Sequence, residues 1–259
     1  MTLLLSRRWI RLAIGLVVPA IALTWWQVQA SQGGANAIAF APLQSIGAAA
    51  WDLTANGTLV SDMIATLSRS LTGLAIGGTL GIAVGVAMAI WGPLDRLLGP
   101  LLNAIRQVPL IGWLPLFGLW FGTGQGSELI IVSISAFFPT MLNSYEGVAH
   151  VEHRYLEVGR IYGFTPWQRF RLILLPAAMP LILTGLTQAL AFAWITSIAT
   201  EILLGVGGGL GVTMQLAQTQ QRLDIILVAI IATAMLGFAI NQLFRAARAH
   251  LLRWQPLSI

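Results

Sequence analysis

The 259-residue sequence predicts an all-α membrane protein with six transmembrane helices, and three observations carry that expectation. Hydrophobic residues make up 57% of the chain, charged residues only 9%, and the mean hydropathy is +0.80. A soluble domain carries about a quarter charged residues, so folding in water would leave a large apolar surface uncovered. Apolar runs of about 20 residues, the length of a membrane-crossing helix, recur along the chain. The arginines fall in small groups between those runs, as topology markers do.

Residues 10–26 form the first expected span, with Arg7, Arg8 and Arg11 at its start and Trp25-Trp26 at its end. Val28-Gln29-Ala30 behind it resembles a signal-peptidase site, so a cleaved leader is the competing reading. Residues 67–91 form the second span. There Gly77, Gly81 and Gly85 share one helical face on which backbones approach closely, a packing seam within the chain. The third, residues 100–121, is interrupted by Pro109, Gly112 and Pro115. Residues 129–142 with their flanks, 173–204 and 224–244 supply the fourth, fifth and sixth. No internal repeat, low-complexity tract or linker divides the chain, which reads as one transmembrane domain over residues 1–259.

Orientation follows from the arginines. None lies between Arg11 and Arg69, so the 27–62 loop is translocated, because positive residues in short loops stay cytoplasmic. With the N-terminus inside, Arg96, the 154–171 cluster, Arg245, Arg248 and Arg253 all face the cytoplasm. Of the 14 arginines only Arg69 and Arg222 then fall outside, together with Asp52, Asp62, Glu128, Glu201 and Asp224. Six spans return the C-terminus to the cytoplasm.

Several function classes are disfavoured. The net charge of +5 comes from arginine without lysine and without a basic patch interleaved with aromatics, so nucleic acid is not an expected partner. The absence of cysteine excludes disulfides and thiolate metal sites. His150 and His153 lie three apart with no third ligand nearby, so no metal site is expected. No Ser/His/Asp set or paired carboxylate within a span points to an enzyme.

Residues 146–171 break the pattern, holding seven of the 23 charged side chains. On this topology the segment is a cytoplasmic loop, about 146–172. Residues 151–162 have helix-forming composition, and Gly163 can supply a left-handed stop. Thr165-Pro166-Trp167-Gln168 reads as a helix start, with Thr as cap, Pro at the first position and Gln three after the cap. The second helix then feeds the fifth span through Pro176 and Pro180. Tyr155, Val158, Ile161 and Tyr162 lie near one another on the first helix, while Arg154, Glu157 and Arg160 occupy other faces. Such a helix lies in lipid headgroups or docks into a partner's groove. Glu146, Glu152 and Glu157 offset the arginines, which favours docking to protein.

These residues resemble the EAA motif, E-A-A-x3-G-x9-I-x-L-P, of binding-protein-dependent ABC importer permeases. Glu157, Gly163, Ile173, Leu175 and Pro176 stand at the motif's spacings; Val158 and Gly159 replace its two alanines. Ile105-Arg106-Gln107-Val108-Pro109, Leu114-Pro115-Leu116 and Leu119-Trp120-Phe121-Gly122-Thr123-Gly124 resemble the nitrate/sulfonate/taurine/bicarbonate subgroup, and within it the aliphatic sulfonate permeases. So do Ala199-Thr200-Glu201-Ile202-Leu203-Leu204-Gly205 and Gly208-Gly209-Leu210-Gly211, and the likeness extends over residues 51–254. It implies the type I ABC importer permease fold in the bacterial inner membrane. The implied assembly is a homodimer with two ATP-binding-cassette ATPase subunits and a periplasmic or lipid-anchored solute-binding protein. Tyr155, Glu157, Val158, Gly159, Ile161, Tyr162, Gly163, Phe164, Ile173 and Pro176 would then make the ATPase-coupling elbow. No cofactor is expected on this chain: the glycine-rich 205–211 stretch lacks the Lys-Ser/Thr of a phosphate loop, so ATP and magnesium belong to the partner.

The implied cargo is a small anion or organosulfur compound, of the sulfonate, taurine, nitrate or bicarbonate class, selected largely by the solute-binding protein. Pro109 and Pro115 mark irregular backbone, tolerated at membrane depth only where it is buried or lines a watery cavity. An intramembrane arginine costs roughly 2.5–3.5 kcal/mol on insertion scales, so Arg106 either faces the path and attracts an anion or snorkels to the surface. Arg69 and Glu201 either bridge each other or meet the substrate or the solute-binding protein. Gln188, Thr196, Ser197 and Thr200 give the fifth span a polar stripe, serving helix packing or the path, and Trp194 is packing or path wall. A freestanding secondary transporter or channel is the alternative, and would need acidic groups in mid-span.

Overall fold

The computed structural model describes residues 2–32, 39–205 and 207–254, with residues 2–16 as backbone alone. In chain order the principal helices are α1 (Thr2–Ser31), α2 (Leu43–Ala55), α3 (Thr58–Ile90), α4 (Gly92–Ile105), α5 (Leu110–Phe121), α6 (Gln125–Ala149), α7 (His153–Ile161), α8 (Pro166–Leu204), α9 (Leu210–Thr219) and α10 (Leu223–Leu251). No strand occurs among the described residues.

Four of these, α3, α6, α8 and α10, are long and apolar enough to cross a membrane. A fifth crossing exists if α4 and α5, bent by 96° at their junction, count as one broken span. Of the interruptions expected in the third span at Pro109, Gly112 and Pro115, the chain bends at the first alone. α4 has 14 residues and α5 has 12, and neither reaches across alone. The break lies at residues 106–109. Gln107 and Val108 donate to carbonyls three residues back, tightening the end of α4, and Pro109 keeps Val108 out of the helical region. Pro115 breaks nothing; it lies inside α5.

The chain separates into two compact units, Met1–Val60 with Thr213–Ile231, and Ser61–Val212 with Ala232–Ile259. Their boundaries fall inside α3, α9 and α10, so no linker divides them. In the first unit, the Trp26 indole donates to the Ala41 carbonyl at 2.8 Å, while Trp25 and Trp26 both meet the Phe40 ring edge-on. Arg222 grips Asp224 through Nε and Nη2.

The second unit is built on close helix contacts. Gly73, Gly77, Gly81 and Gly85 of α3 pack directly on the backbone of α6: a Cβ at Gly81 would stand 2.6 Å from the Phe137 carbonyl oxygen. The glycine seam is thus an internal contact between α3 and α6. On the other side of α6, Gly185 of α8 lies where a Cβ would come within 2.7 Å of Asn143 Cβ. Leu74, Val132, Ala136, Ala189, Leu190 and Ala193 form the resulting core. α8 begins with a capping box, Gln168 N–H to Thr165 Oγ1 and Thr165 N–H to Gln168 Oε1. It then runs through a π-helical turn at Phe170–Leu174, just before Pro176, whose missing N–H leaves the register open. Met235, Phe238 and Leu243 of α10 are 68%, 65% and 73% exposed, a surface suited to lipid or partner helices.

Candidate functional site

The charged loop folds into a rigid elbow. α7 stops where Gly163 takes a left-handed backbone (φ +67°), and Phe164 N–H closes on the Gly159 carbonyl at 2.9 Å. Gly159 is buried, because Ile173 Cδ1 occupies the place its Cβ would take, at 2.6 Å. That contact explains the departure from alanine: the second helix of the elbow packs straight onto the first. Tyr155, Val158, Tyr162, Phe164, Ile173 and Pro176 line one groove of about 620 Å³, with Leu172, Ala177 and Trp254. Sequence reasoning missed Trp254, which stands far along the chain in a polar tail. Ile161 and Tyr162 are 83% and 74% exposed on the outer face. Glu157 and Gly163 are exposed as well, outside the groove. Arg154 pairs with Glu152 and stacks on the Tyr155 ring at 5.2 Å; its hydrogen bond to Glu152 holds its pKa above the ordinary value.

A second groove, of about 410 Å³, opens at the α4–α5 break. Arg106, Val108, Pro109 and Leu110 border it, facing Ser135, Phe138, Pro139 and Leu142 of α6 and Gln188, Phe192 and Thr196 of α8. The structure therefore brings together Arg106, Pro109, Gln188 and Thr196 from the expected substrate path. It leaves out five others. Pro115 is exposed elsewhere on α5; Trp194 packs its indole nitrogen against Gly237; Ser197 is fully buried.

The remaining two, Arg69 and Glu201, lie in a buried ionic cluster. Arg69 Nη1 donates to Glu201 Oε1, and its Nε lies 3.3 Å from Glu128 Oε2; both carboxylates are fully buried. Arg69 Nη2 also donates to the Gly208 carbonyl. The other Glu201 oxygen accepts from Thr66 Oγ1 at 3.0 Å and Gly211 N–H at 2.8 Å. Thr66 Oγ1 accepts from Leu210 N–H, and Asp62 Oδ1 from Gly209 N–H, both at 3.0 Å. Arg69 and Glu201 thus pair with each other, the bridging arrangement among those expected of them. Glu128 was read only as an outside acid; an acidic residue at the start of an apolar helix was the signal available for it. The cluster ties α3, α6 and α8 to the 207–211 loop, as buried charges must be paired to be tolerated.

Comparison with known proteins places these features. The family described as "Binding-protein-dependent transport system inner membrane component" matches residues 54–254. SsuC of Bacillus subtilis, which carries the name of an aliphatic sulfonates transport permease, is 29% identical over 93% of this chain and 87% of its own. The taurine transport system permease TauC of Escherichia coli is 31% identical over 77% of this chain and 72% of its own. The bicarbonate transport system permease CmpB of Synechococcus elongatus is 29% identical over 74% and 67%. Among solved structures, a chain of an amino acid ABC transporter with histidines aligns with TM-score 0.62 over 78% of this chain and 96% of its own, at 18% identity. A chain of the inward-facing MetNI methionine ABC transporter aligns with TM-score 0.56 over 73% and 95%, at 22% identity.

Proposed function

This chain belongs to the family of binding-protein-dependent transport system inner membrane components, and from that premise we propose how its geometry serves uptake. It is the transmembrane permease subunit of an ATP-binding-cassette importer and not an enzyme; ATP hydrolysis belongs to a partner ATPase. It works with ATPase subunits and a solute-binding protein. We assign it six spans, with α1 as the first and the broken α4–α5 pair as the third, and both termini in the cytoplasm. Two copies of the chain form the pore in the bacterial inner membrane, each bearing one ATPase subunit. The chain binds no cofactor of its own; ATP and magnesium are held by the ATPase. The cargo is a small anion or organosulfur compound, the class named for SsuC, TauC and CmpB.

One observation supports the coupling role above others. The elbow is locked from inside by the Gly159–Ile173 contact and the Thr165–Gln168 capping box, yet turns Ile161 and Tyr162 outward as an apolar knob. A knob that rigid transmits force instead of absorbing it, and its exposed apolar area needs a groove in a partner. Closure of the ATPase pair around ATP would push the elbow, and α8, continuous from Pro166 to Leu204, would carry the push across the membrane. Glu157→Lys tests this. ATPase co-purification and ATP-driven uptake should fall together while the spans still insert; normal values of both would end the coupling reading.

A further inference from the structure

The groove at the α4–α5 break offers several hydrogen-bond donors and no carboxylate among the described residues. Among the described residues Arg106 is the only charged side chain that borders it. No described residue partners the Arg106 guanidinium or the Thr196 hydroxyl. Gln188 is held in one orientation by a chain of constraints. The Pro139 carbonyl can only accept, so it fixes the Asn143 Nδ2 group that donates to it at 2.8 Å. The same Nδ2 donates to Gln188 Oε1 at 3.0 Å. The Gln188 oxygen is thereby occupied, and its NH₂ is left as a pair of donors without a described partner. α5 starts at Leu110 beside the groove, adding the Leu110 and Ile111 amides, which have no acceptor within the helix, while Gly112 N–H is taken by the Pro109 carbonyl at 2.9 Å. The one Ser hydroxyl on the wall, Ser135, donates to Val132 O inside its own helix. Opposite these donors stand Phe138, Leu142 and Phe192.

We propose that this groove is an anion subsite on the permease itself, taking an organic anion with a short apolar tail. The headgroup accepts from Arg106, Gln188 and Thr196, and the tail lies on Phe138 and Phe192. This deepens the importer reading and rests on it, since it supposes that the groove borders the import path. A guanidinium beside an amide NH₂ favours an acceptor-rich anionic headgroup such as a sulfonate. The aromatic wall adds affinity for each methylene placed on it, which an inorganic anion of the same charge lacks. Selection therefore does not end at the solute-binding protein. Asn143 is a positioning residue: it touches no ligand, but decides which end of the Gln188 amide faces the groove.

The test uses the permease with its co-purified ATPase in lipid nanodiscs, without the solute-binding protein. Saturation-transfer NMR reads 1-butanesulfonate, with butylammonium as the cationic counterpart. Butanesulfonate should bind and butylammonium should not. Arg106→Gln and Gln188→Leu should each weaken butanesulfonate about tenfold, the loss expected for a charge-assisted hydrogen bond. Phe192→Ser should weaken butanesulfonate more than methanesulfonate. Asn143→Leu removes the donor that fixes the Gln188 oxygen and adds no charge, so it should weaken butanesulfonate, and the further change Gln188→Leu should then cost less than it does in the parent; a merely structural role for Asn143 would leave the two losses additive. No binding by the parent protein, equal binding of anion and cation, or unchanged affinity in both Arg106→Gln and Gln188→Leu would each overturn the subsite. ATP-driven uptake by the reconstituted full importer is read separately: its absence sinks the importer reading, whereas uptake with unchanged binding in those variants sinks the subsite alone.

Discussion

Arg69 on α3 donates to the carboxylate of Glu201 on α8, across 132 positions of sequence. Glu201 has no solvent exposure and Arg69 has 10%. A second carboxylate, Glu128 on α6, stands 3.3 Å from the same guanidinium. One cation therefore faces two buried carboxyl groups, and three helices are joined at one point.

Removing that cation should be costly. Arg69→Met leaves Glu128 and Glu201 buried without a counter-charge, and breaking a buried pair costs about 3–5 kcal/mol. The variant should lose thermal stability in detergent, read by size-exclusion fluorescence. Adding Glu201→Gln should recover part of the loss, and an Arg69→Met single variant as stable as the parent would show that the cluster contributes nothing.

The glycine seam makes a sharper contrast. A side chain at Gly77 meets the Ser133 carbonyl carbon at 2.8 Å and Ala136 Cβ at 3.0 Å, so Gly77→Leu must push α3 off α6. Yield of monodisperse protein should collapse. Gly47, inside α2 with nothing within 4 Å, is the control: Gly47→Ala should be neutral or stabilise by up to about 1 kcal/mol.

At Gly163 the constraint is the backbone angle, since nothing lies within 4 Å of a Cβ there. Gly163→Val forces a β-branched residue to φ +67°, a strain of about 1–3 kcal/mol. ATP-driven uptake should drop while insertion persists. Gly163→Asn, which tolerates the left-handed region, should keep most of it. Equal loss in both would mean that the side chain's absence, not the turn, matters.

The capping box sets a third local test. Thr165→Ala removes the acceptor for Gln168 N–H and should loosen the start of α8 by about 1 kcal/mol, seen as faster amide exchange over residues 167–170. Thr165→Ser should exchange like the parent. Uniform exchange across all three would remove the cap from the account of elbow rigidity.

Much of the elbow was legible from residues alone because its signals are local. Gly163, the Thr165-Pro166-Trp167-Gln168 start and the apolar face of α7 act within a few residues of one another. The glycine seam was legible for the same reason: a four-residue spacing fixes a helical face whatever lies opposite. The third span was legible in part, since Pro109 and Pro115 both marked it as interrupted. Its apolar run was long enough, but composition does not report that Pro109 turns the chain by 96° while Pro115 sits quietly inside α5.

Sequence by itself determined the solvent, the helical class and the elbow, because hydropathy, arginine spacing and capping residues act over one helix or less. Only the tertiary structure decided which polar residues meet. It withdrew Arg69 and Glu201 into a buried pair with Glu128 and gathered Arg106, Gln188 and Thr196 around one groove. Those meetings join positions up to 132 residues apart, and they depend on how helices pack across glycine seams and bend at a proline, which no single segment encodes.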